Sequence, residues 1–89
     1  MIKAEKRNPN IKARKFRNMG RATGVINRKN GENTCISLKI SDLDKFLAKY
    51  GDYSNIDIDL EGERINTSII ELQRDTLIHN AININLREI

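Results

Sequence analysis

The chain has one cysteine, one histidine and no long apolar run, and each shortage excludes a class of protein. Cys35 alone cannot form an internal disulfide, and with His79 it cannot supply the four ligands of a structural zinc site. The apolar stretch of about 18 to 20 residues that a membrane span requires is absent, and so is the apolar segment of a secretory signal. We therefore expect a cytoplasmic protein without a metal, a cofactor or a membrane partner.

The length of the chain limits its organisation. Its 89 residues, 38% hydrophobic and 31% charged, suffice for one small domain, residues 1–89, and leave no room for a second core. Catalytic constellations are absent, because no acid lies at a spacing that would orient His79 and no base is apparent for Cys35. We expect a protein that is not an enzyme.

Positive charge is concentrated in the first third of the sequence. Residues 1–29 contain ten of the sixteen Lys and Arg residues and one acid, whereas residues 30–89 contain six basic and eleven acidic residues. A block of one sign repels itself unless a partner neutralises it. No amphipathic apolar helix long enough to lie on a bilayer accompanies this block. The charge pattern therefore favours nucleic acid over a membrane as the partner.

Alternation of apolar and polar residues predicts short strands at 36–40, 56–60, 65–69 and 82–86, and further short strands near the front at 2–4 and 23–27. Glu61 and Gly62 join two of these runs into a hairpin. The apolar phase slips by one at Ile69 and Ile70, so that Ile70 and Leu72 continue the buried side, which predicts either a bulge or a strand that changes sheet there. In the last strand Ile82, Ile84 and Leu86 face inward. The outward positions there are Asn83, Asn85 and Arg87.

A helix is predicted directly after the strand at 36–40. Ser41 is suited to be its N-cap, and Gly51 supplies its end. Its apolar face is formed by Leu43, Phe46, Leu47 and Tyr50. Short strands, short helices and regular turns in so small a chain predict an α+β fold built on a β-barrel or strongly curved sheet.

A second predicted helix, over 11–19, carries much of the basic charge and ends before Gly20. At about 100° per residue, Phe16 and Met19 face the barrel. If the helix extends to Arg21, the opposite side carries Arg14, Arg17 and Arg21. The planar guanidinium binds phosphate in a bidentate manner or spans a phosphate and a base edge. The pattern predicts a nucleic-acid-binding helix, and a solvated basic helix or flexible arm is the alternative.

The order of these features resembles the bacterial ribosomal protein L twenty-five family, large-subunit proteins that bind 5S rRNA, together with related general stress proteins. Residues 3–7 are similar to the family's opening strand, and residues 12–21 to its basic helix. Tyr53 and Ser54, followed by residues 60–63, match the mid-domain hairpin. Residues 72–75 are similar to a Gln-Arg-Asp tract that precedes the family's final strand.

The resemblance implies a six-stranded barrel with two to three helices that grips 5S rRNA in its minor groove. It implies RNA contacts by the following residues: Arg7, Arg14, Lys15, Arg17, Arg21, Gln73 and Arg74. Asn83 and Asn85 stand where the family has His and Asp, and they can still contact ribose 2′-hydroxyls and base edges. An RNA-facing tyrosine of the family is replaced by Asn27. Whether these three asparagines preserve the family's specificity is open.

The expected function is that of a ribosome-associated rRNA-binding protein, monomeric off the ribosome, whose partners are 5S rRNA and the large ribosomal subunit. One alternative is a diverged stress-related paralogue that binds another structured RNA. The other is a protein-interaction barrel that uses the acidic strand face formed by Asp57, Asp59 and Glu61.

Overall fold

The computed structural model describes all 89 residues, which form six strands, two helices and the loops between them. In chain order these are β1 (Ile2–Lys6), α1 (Ala13–Asn18), β2 (Arg21–Asn27), β3 (Asn33–Lys39), α2 (Ile40–Tyr50), β4 (Asn55–Leu60), β5 (Glu63–Arg74) and β6 (Ala81–Glu88). The strands close into a barrel in the order β1-β3-β2-β6-β5-β4. The β1–β4 and β2–β6 pairs are parallel and the other four are antiparallel. The predicted α+β fold on a small six-stranded barrel is confirmed, with two helices.

Strand alternation fills the barrel interior with aliphatic side chains. Sixteen buried residues form one core. In β6, Ile84 and Leu86 are fully buried, whereas Asn83 and Arg87 are exposed, as the alternation predicts. Each buried Ile or Leu side chain contributes roughly 1.5 to 3 kcal/mol to folding. The core therefore fixes which face of each strand points to solvent.

The predicted hairpin and bulge are both present. Glu61 (φ 51°) and Gly62 (φ 97°) occupy the left-handed region between β4 and β5, as a two-residue hairpin turn requires. The β5–β6 register shifts between Ile69 and Glu71, which confirms the bulge. Ile70 is nevertheless 40% exposed, so its predicted burial is wrong. The bulge residue turns outward, and Leu72 resumes packing against the core.

Helix α2 begins two residues earlier than predicted. Its N-cap is Lys39, no side chain caps it, and the predicted capping role of Ser41 is wrong. Ile40 lies in the helix and not in the preceding strand, but it still packs against the core. Period-two alternation therefore continued one residue beyond the strand, because a first-turn helical residue can face the same core.

The remainder of α2 agrees with the prediction except at one position. Leu43 and Leu47 are buried, but Tyr50 is 57% exposed. Its ring packs in a tilted arrangement against the ring of Phe46, with the ring centroids 4.7 Å apart. Gly51 (φ 93°) ends the helix, and its N–H donates to the Leu47 carbonyl at 2.8 Å. Neither α2 nor α1 is long and apolar enough to cross a membrane.

Helix α1 is shorter than the sequence pattern predicts. It ends at Asn18, Gly20 (φ 75°) follows, and Arg21 is already the first residue of β2. The predicted helical face that would include Arg21 is therefore wrong. Met19 is 59% exposed, so its predicted anchoring role is also wrong, and Phe16 is only half-buried. A helix of six residues is too short to bury a full apolar face.

Gly24 marks the closest approach between β2 and β6. A Cβ atom at this position would lie 2.7 Å from both the side chain and the carbonyl oxygen of Ile84. Such a separation is well inside van der Waals contact, so the absence of a side chain allows the two parallel strands to pair. This pairing places the outward side chains of β2 directly beside those of β6.

Candidate RNA interface

The cations of α1 project into solvent without acidic partners. Arg14, Lys15 and Arg17 are exposed, and none of the five ion pairs of the structure includes them. The helix packs against β2. Its position gives a patch of positive charge without ion-pair partners beside the first residues of β2.

The α1 patch also lies near the turn that joins β5 to β6. Hydrogen bonds from the backbone N–H groups of Ile78 and Leu77 lower the pKa of the Asp75 carboxyl, and the charge of Arg17 lowers it further. The charge of Arg17 therefore acts on the turn that carries Asp75. The basic helix therefore borders the end of the barrel where β5 stops and β6 starts.

Arg7 holds α1 in place. Its backbone N–H donates to the Cys35 carbonyl at 3.0 Å, and its guanidinium carbon lies 5.8 Å from the centroid of the Phe16 ring. A cation above an aromatic face is attracted by the ring quadrupole. The Nε atom of Arg7 is buried without a partner. Arg7, predicted from the resemblance to contact RNA, thus connects the end of β1 to the basic helix.

Arg21 is bound to the barrel surface. Its Nε donates to Ser37 Oγ and its Nη2 to the Ser37 carbonyl, both at 3.1 Å, while Glu5 lies 3.7 Å away. Ser37 faces outward in β3 but is only 3% exposed, because it lies beneath this side chain. Arg21 consequently has fewer free donors than the arginines of α1.

A row of polar side chains crosses the outer face from β2 to β5. Thr23, Asn83 and Gln73 are register partners on β2, β6 and β5, respectively. The Thr23 hydroxyl donates to Asn83 Oδ1 at 2.9 Å. Two residues further along β6, Asn85 Oδ1 accepts a hydrogen bond from Asn27 Nδ2 at 2.8 Å. Both predicted β6 asparagines are thus held by side chains of the neighbouring strand.

Thr23 and Asn27 were not among the predicted site residues. Their partners lie about sixty positions further along the chain, on a strand that is parallel to their own. Parallel pairing of two strands so distant in sequence leaves no local pattern. Alternation places Thr23 and Asn27 on the outward side of their strand. The resemblance gave a second signal for Asn27, which stands where the family has an RNA-facing tyrosine.

Gln73 and Arg74 have different surroundings. Gln73 is exposed and lies in the polar row beside Asn83. Arg74 donates from Nη2 to Asp52 Oδ1 at 2.6 Å and from Nη1 to the His79 carbonyl at 2.9 Å. The hydrogen bond to Asp52 raises the pKa of the Arg74 guanidinium. Arg74 therefore ties β5 to the segment after α2, and much of its hydrogen-bonding capacity is used within the chain.

The acidic residues of β4 and its turn also have partners within the protein. Asp57 pairs with Arg64 at 2.6 Å. Asp59 accepts a hydrogen bond from the Gly62 N–H at 3.0 Å. Glu61 accepts a hydrogen bond from the backbone N–H of Lys6, at the end of β1, at 2.7 Å. These carboxylates hold the hairpin and the β1–β4 seam. No cluster of three or more His, Cys, Asp or Glu side chains is arranged to hold a metal ion.

Comparison with known proteins identifies the family of this chain. The model of the Ribosomal L25p family matches residues 2–86. A protein of Bacillus pumilus named large ribosomal subunit protein bL25 is 36% identical over 69 residues, which are 78% of this chain and 33% of that protein. The protein of the same name from Bacillus licheniformis is 29% identical over 89 residues, covering 98% of this chain and 43% of that protein. The chain spans less than half the length of these relatives, and it belongs to the Ribosomal L25p family.

Proposed function

We propose that this protein is a non-enzymatic RNA-binding component of the large ribosomal subunit and that it binds 5S rRNA. The observation that carries the proposal is the position of the unpaired α1 cations beside the polar row of β2, β6 and β5. The barrel, residues 1–89, acts as one binding unit associated with the ribosome in the cytoplasm. The relatives support the ribosomal part of this proposal, since both are named as proteins of the large subunit.

The two parts of the surface have different tasks in RNA binding. Arg14, Lys15 and Arg17 neutralise phosphates, which supplies most of the affinity and none of the sequence information. Asn83 and Gln73 offer amide groups, which suit the base edges and 2′-hydroxyls displayed in the wide, shallow minor groove of an RNA helix. Positioning by charge and recognition by amides are thereby combined on one side of the barrel.

Arg7, Arg21 and Arg74 take secondary places in this proposal. Each already has a partner in the protein: Phe16 for Arg7, Ser37 for Arg21 and Asp52 for Arg74. Their remaining N–H groups can donate to phosphate, but removing any of them also disturbs the fold. Their effect on RNA binding is therefore mixed with an effect on stability.

The proposal is tested by titrating the protein against fragments of 5S rRNA, with tRNA and a random duplex of equal length as competitors. Preferential binding of a 5S rRNA fragment at physiological salt is the expected result. Binding that is equal for all three RNAs would favour the alternative of a general or different structured-RNA ligand. No binding to any RNA, together with a retained folded state, would reject the proposal.

A protein-interaction role for the acidic strand face is less well supported. Asp57, Asp59 and Glu61 each accept a hydrogen bond or form an ion pair within the chain. Recruiting them to a protein partner would require breaking contacts that hold the β4–β5 hairpin. A partner that still binds after Arg14 and Arg17 are replaced by Gln would nevertheless identify this second function.

A further inference from the structure

Strand β6 presents two asparagines, and the hydrogen bonds that hold them restrict what they can recognise. The Nδ2 group of Asn27 donates both to Asn85 Oδ1, at 2.8 Å, and to the backbone carbonyl of Leu86, at 3.0 Å. A carbonyl oxygen only accepts, so Leu86 fixes which end of the Asn27 amide points towards β6. The Asn27 donor in turn fixes Oδ1 of Asn85 as the acceptor of this pair.

The amide nitrogen of Asn85 is left without a partner in the protein. The buried side-chain polar atoms that lack a partner are Arg7 Nε and Asn80 Oδ1. Since Asn85 Nδ2 is not one of them, it reaches solvent. Asn83, on the same side of β6, likewise has its oxygen occupied, by the hydroxyl of Thr23. At these two positions β6 therefore offers hydrogen-bond donors outward.

An outward donor distinguishes among base pairs in an RNA minor groove. The minor-groove edge carries acceptors at purine N3 and pyrimidine O2, and guanine adds a donor, its 2-amino group. The same atoms line the accessible groove of an RNA helix together with ribose 2′-hydroxyls. A donor of the protein that faces the 2-amino group meets another donor, and both lose a hydrogen bond that water would have supplied.

We propose that Asn27 is a positioning residue that holds Asn85 as a hydrogen-bond donor, so that the protein disfavours guanine at the base pair facing Asn85. The inference rests on the proposed RNA-binding function and specifies the ligand of that surface as a minor-groove edge that offers acceptors. Asn27 acts through Asn85, because its own Oδ1 lies on the far side of its amide. The orientation depends on the Leu86 carbonyl and therefore on the β2–β6 pairing.

One neighbouring group would produce the opposite preference. Glu71 is the register partner of Asn85 on β5 and is exposed. A carboxylate accepts a hydrogen bond from the guanine 2-amino group, so recognition by Glu71 would favour guanine. The sign of the preference consequently separates an Asn85 donor from a Glu71 acceptor.

The test uses inosine, which lacks the 2-amino group and keeps the major-groove edge of guanosine. Each base pair in the paired stems of a 5S rRNA fragment is set in turn to G·C or to I·C, and the two affinities are compared. For the unmodified protein we expect one pair at which I·C binds about tenfold more tightly. Asn27→Ala should reduce this ratio to less than about twofold without changing the salt dependence of binding, because Asn85 can then rotate.

Asn33→Ala provides the matched control. Asn33 is the register partner of Asn27 on β3, is exposed, and makes no side-chain hydrogen bond. Asn33→Ala should therefore preserve the ratio of the affinities for the I·C and G·C fragments. Asn27→Asp provides the sharpest test, because a carboxylate at this position accepts from Asn85 and turns its oxygen outward. The preference should then reverse towards G·C, while the overall affinity for both fragments falls.

A measurement without RNA tests the orientation itself. In the ¹⁵N-labelled protein, the side-chain NH2 protons of Asn27 should exchange with water more slowly than those of Asn85. The reverse order would overturn the proposal, as would a ratio that favours G·C in the unmodified protein or is unchanged by Asn27→Asp. Failure of the unmodified protein to bind any 5S rRNA fragment would reject the proposed function, and slow exchange at Asn27 would then still establish the orientation.

Discussion

The arginines of this chain have the same side chain and very different roles. Arg14 and Arg17 are exposed without ion-pair partners, whereas Arg28 bridges two carboxylates, Glu63 at 2.8 Å and Glu88 at 3.0 Å. Guanidinium groups held by two acids contribute to structure, and free ones remain available to phosphate. The contacts of each arginine therefore predict which substitutions affect binding and which affect stability.

The first prediction concerns the free arginines. Arg14→Gln and Arg17→Gln should each weaken RNA binding, with a lost charge-assisted contact worth about 1.5 to 3 kcal/mol, and should leave the melting temperature nearly unchanged. Arg21→Gln is the contrasting variant, because it also removes both bonds to Ser37 and should lower the melting temperature. Filter binding and thermal denaturation measure the two effects. A large loss of stability in the Arg14 and Arg17 variants would contradict this division.

The second prediction concerns acid stability. Hydrogen bonds from the Lys29 backbone N–H and the Arg28 side chain lower the pKa of Glu88 from its ordinary value of 4.5. A carboxyl with a depressed folded-state pKa stabilises the protein above its ordinary pKa, and this contribution is lost as pH falls through the folded-state value. The melting temperature should therefore fall below about pH 4.5 in the unmodified protein.

Glu88→Gln tests the assignment to this residue. The variant should be less stable at neutral pH and should lose less stability on acidification, because the ion pair with Arg28 is already absent. Thermal melts in a pH series measure both quantities. Asp75, whose pKa is also lowered, remains as a second acid-sensitive group, so some pH dependence should persist. Identical pH profiles for the two proteins would exclude Glu88 as a contributor.

Among the elements, those set by the core were predictable and those set by distant partners were not. Alternation identified β4, β5 and β6 because the buried Ile and Leu residues have a period of two. The end of α1 was placed too late, since basic residues continue across Gly20 into β2 and charge alone does not mark a helix boundary. The β2–β6 pairing, which creates the polar row, depends on contacts between residues far apart in sequence.

The third prediction tests that pairing. Gly24→Ala would place a methyl group 2.7 Å from Ile84, so β2 and β6 must separate. We expect a loss of about 1 to 3 kcal/mol in the free energy of unfolding, the usual cost of overpacking. Separation should also weaken the bonds from Thr23 and Asn27 to β6, so the preference for I·C over G·C should narrow in parallel.

Val25→Ala is the control for this element, because Val25 lies on the outward side of the same strand and is half-buried. In urea denaturation, Val25→Ala should lose less free energy of unfolding than Gly24→Ala. The hydrogen bonds of Asn27 should remain. If Gly24→Ala were as stable as the unmodified protein, the two strands could not be as close as the geometry requires.

In the whole molecule, the basic and acidic parts of the sequence lie on different sides of the barrel. In the barrel β1-β3-β2-β6-β5-β4, strand β2 lies opposite β4. The free cations of α1 are packed against β2, and the carboxylates Asp57 and Asp59 belong to β4. The free cations and these carboxylates therefore lie on opposite sides of the barrel. The molecule should therefore approach RNA with its α1 side, which is the side that carries the polar row.

The fourth prediction is that binding depends steeply on salt. If the α1 side neutralises about four to six phosphates, log K should fall with log salt at a slope of roughly −3 to −5. The double replacement of Arg14 and Arg17 by Gln should make this slope shallower by about 1.5 units, because two phosphate contacts that release counterions are lost. Asn85→Ala is the uncharged control, and it should leave the slope unchanged while altering the preference among base pairs. Fluorescence anisotropy titrations at increasing salt measure all three proteins. A flat salt dependence would contradict electrostatic capture, and a slope unaffected by the double replacement would place the phosphates on another side of the barrel.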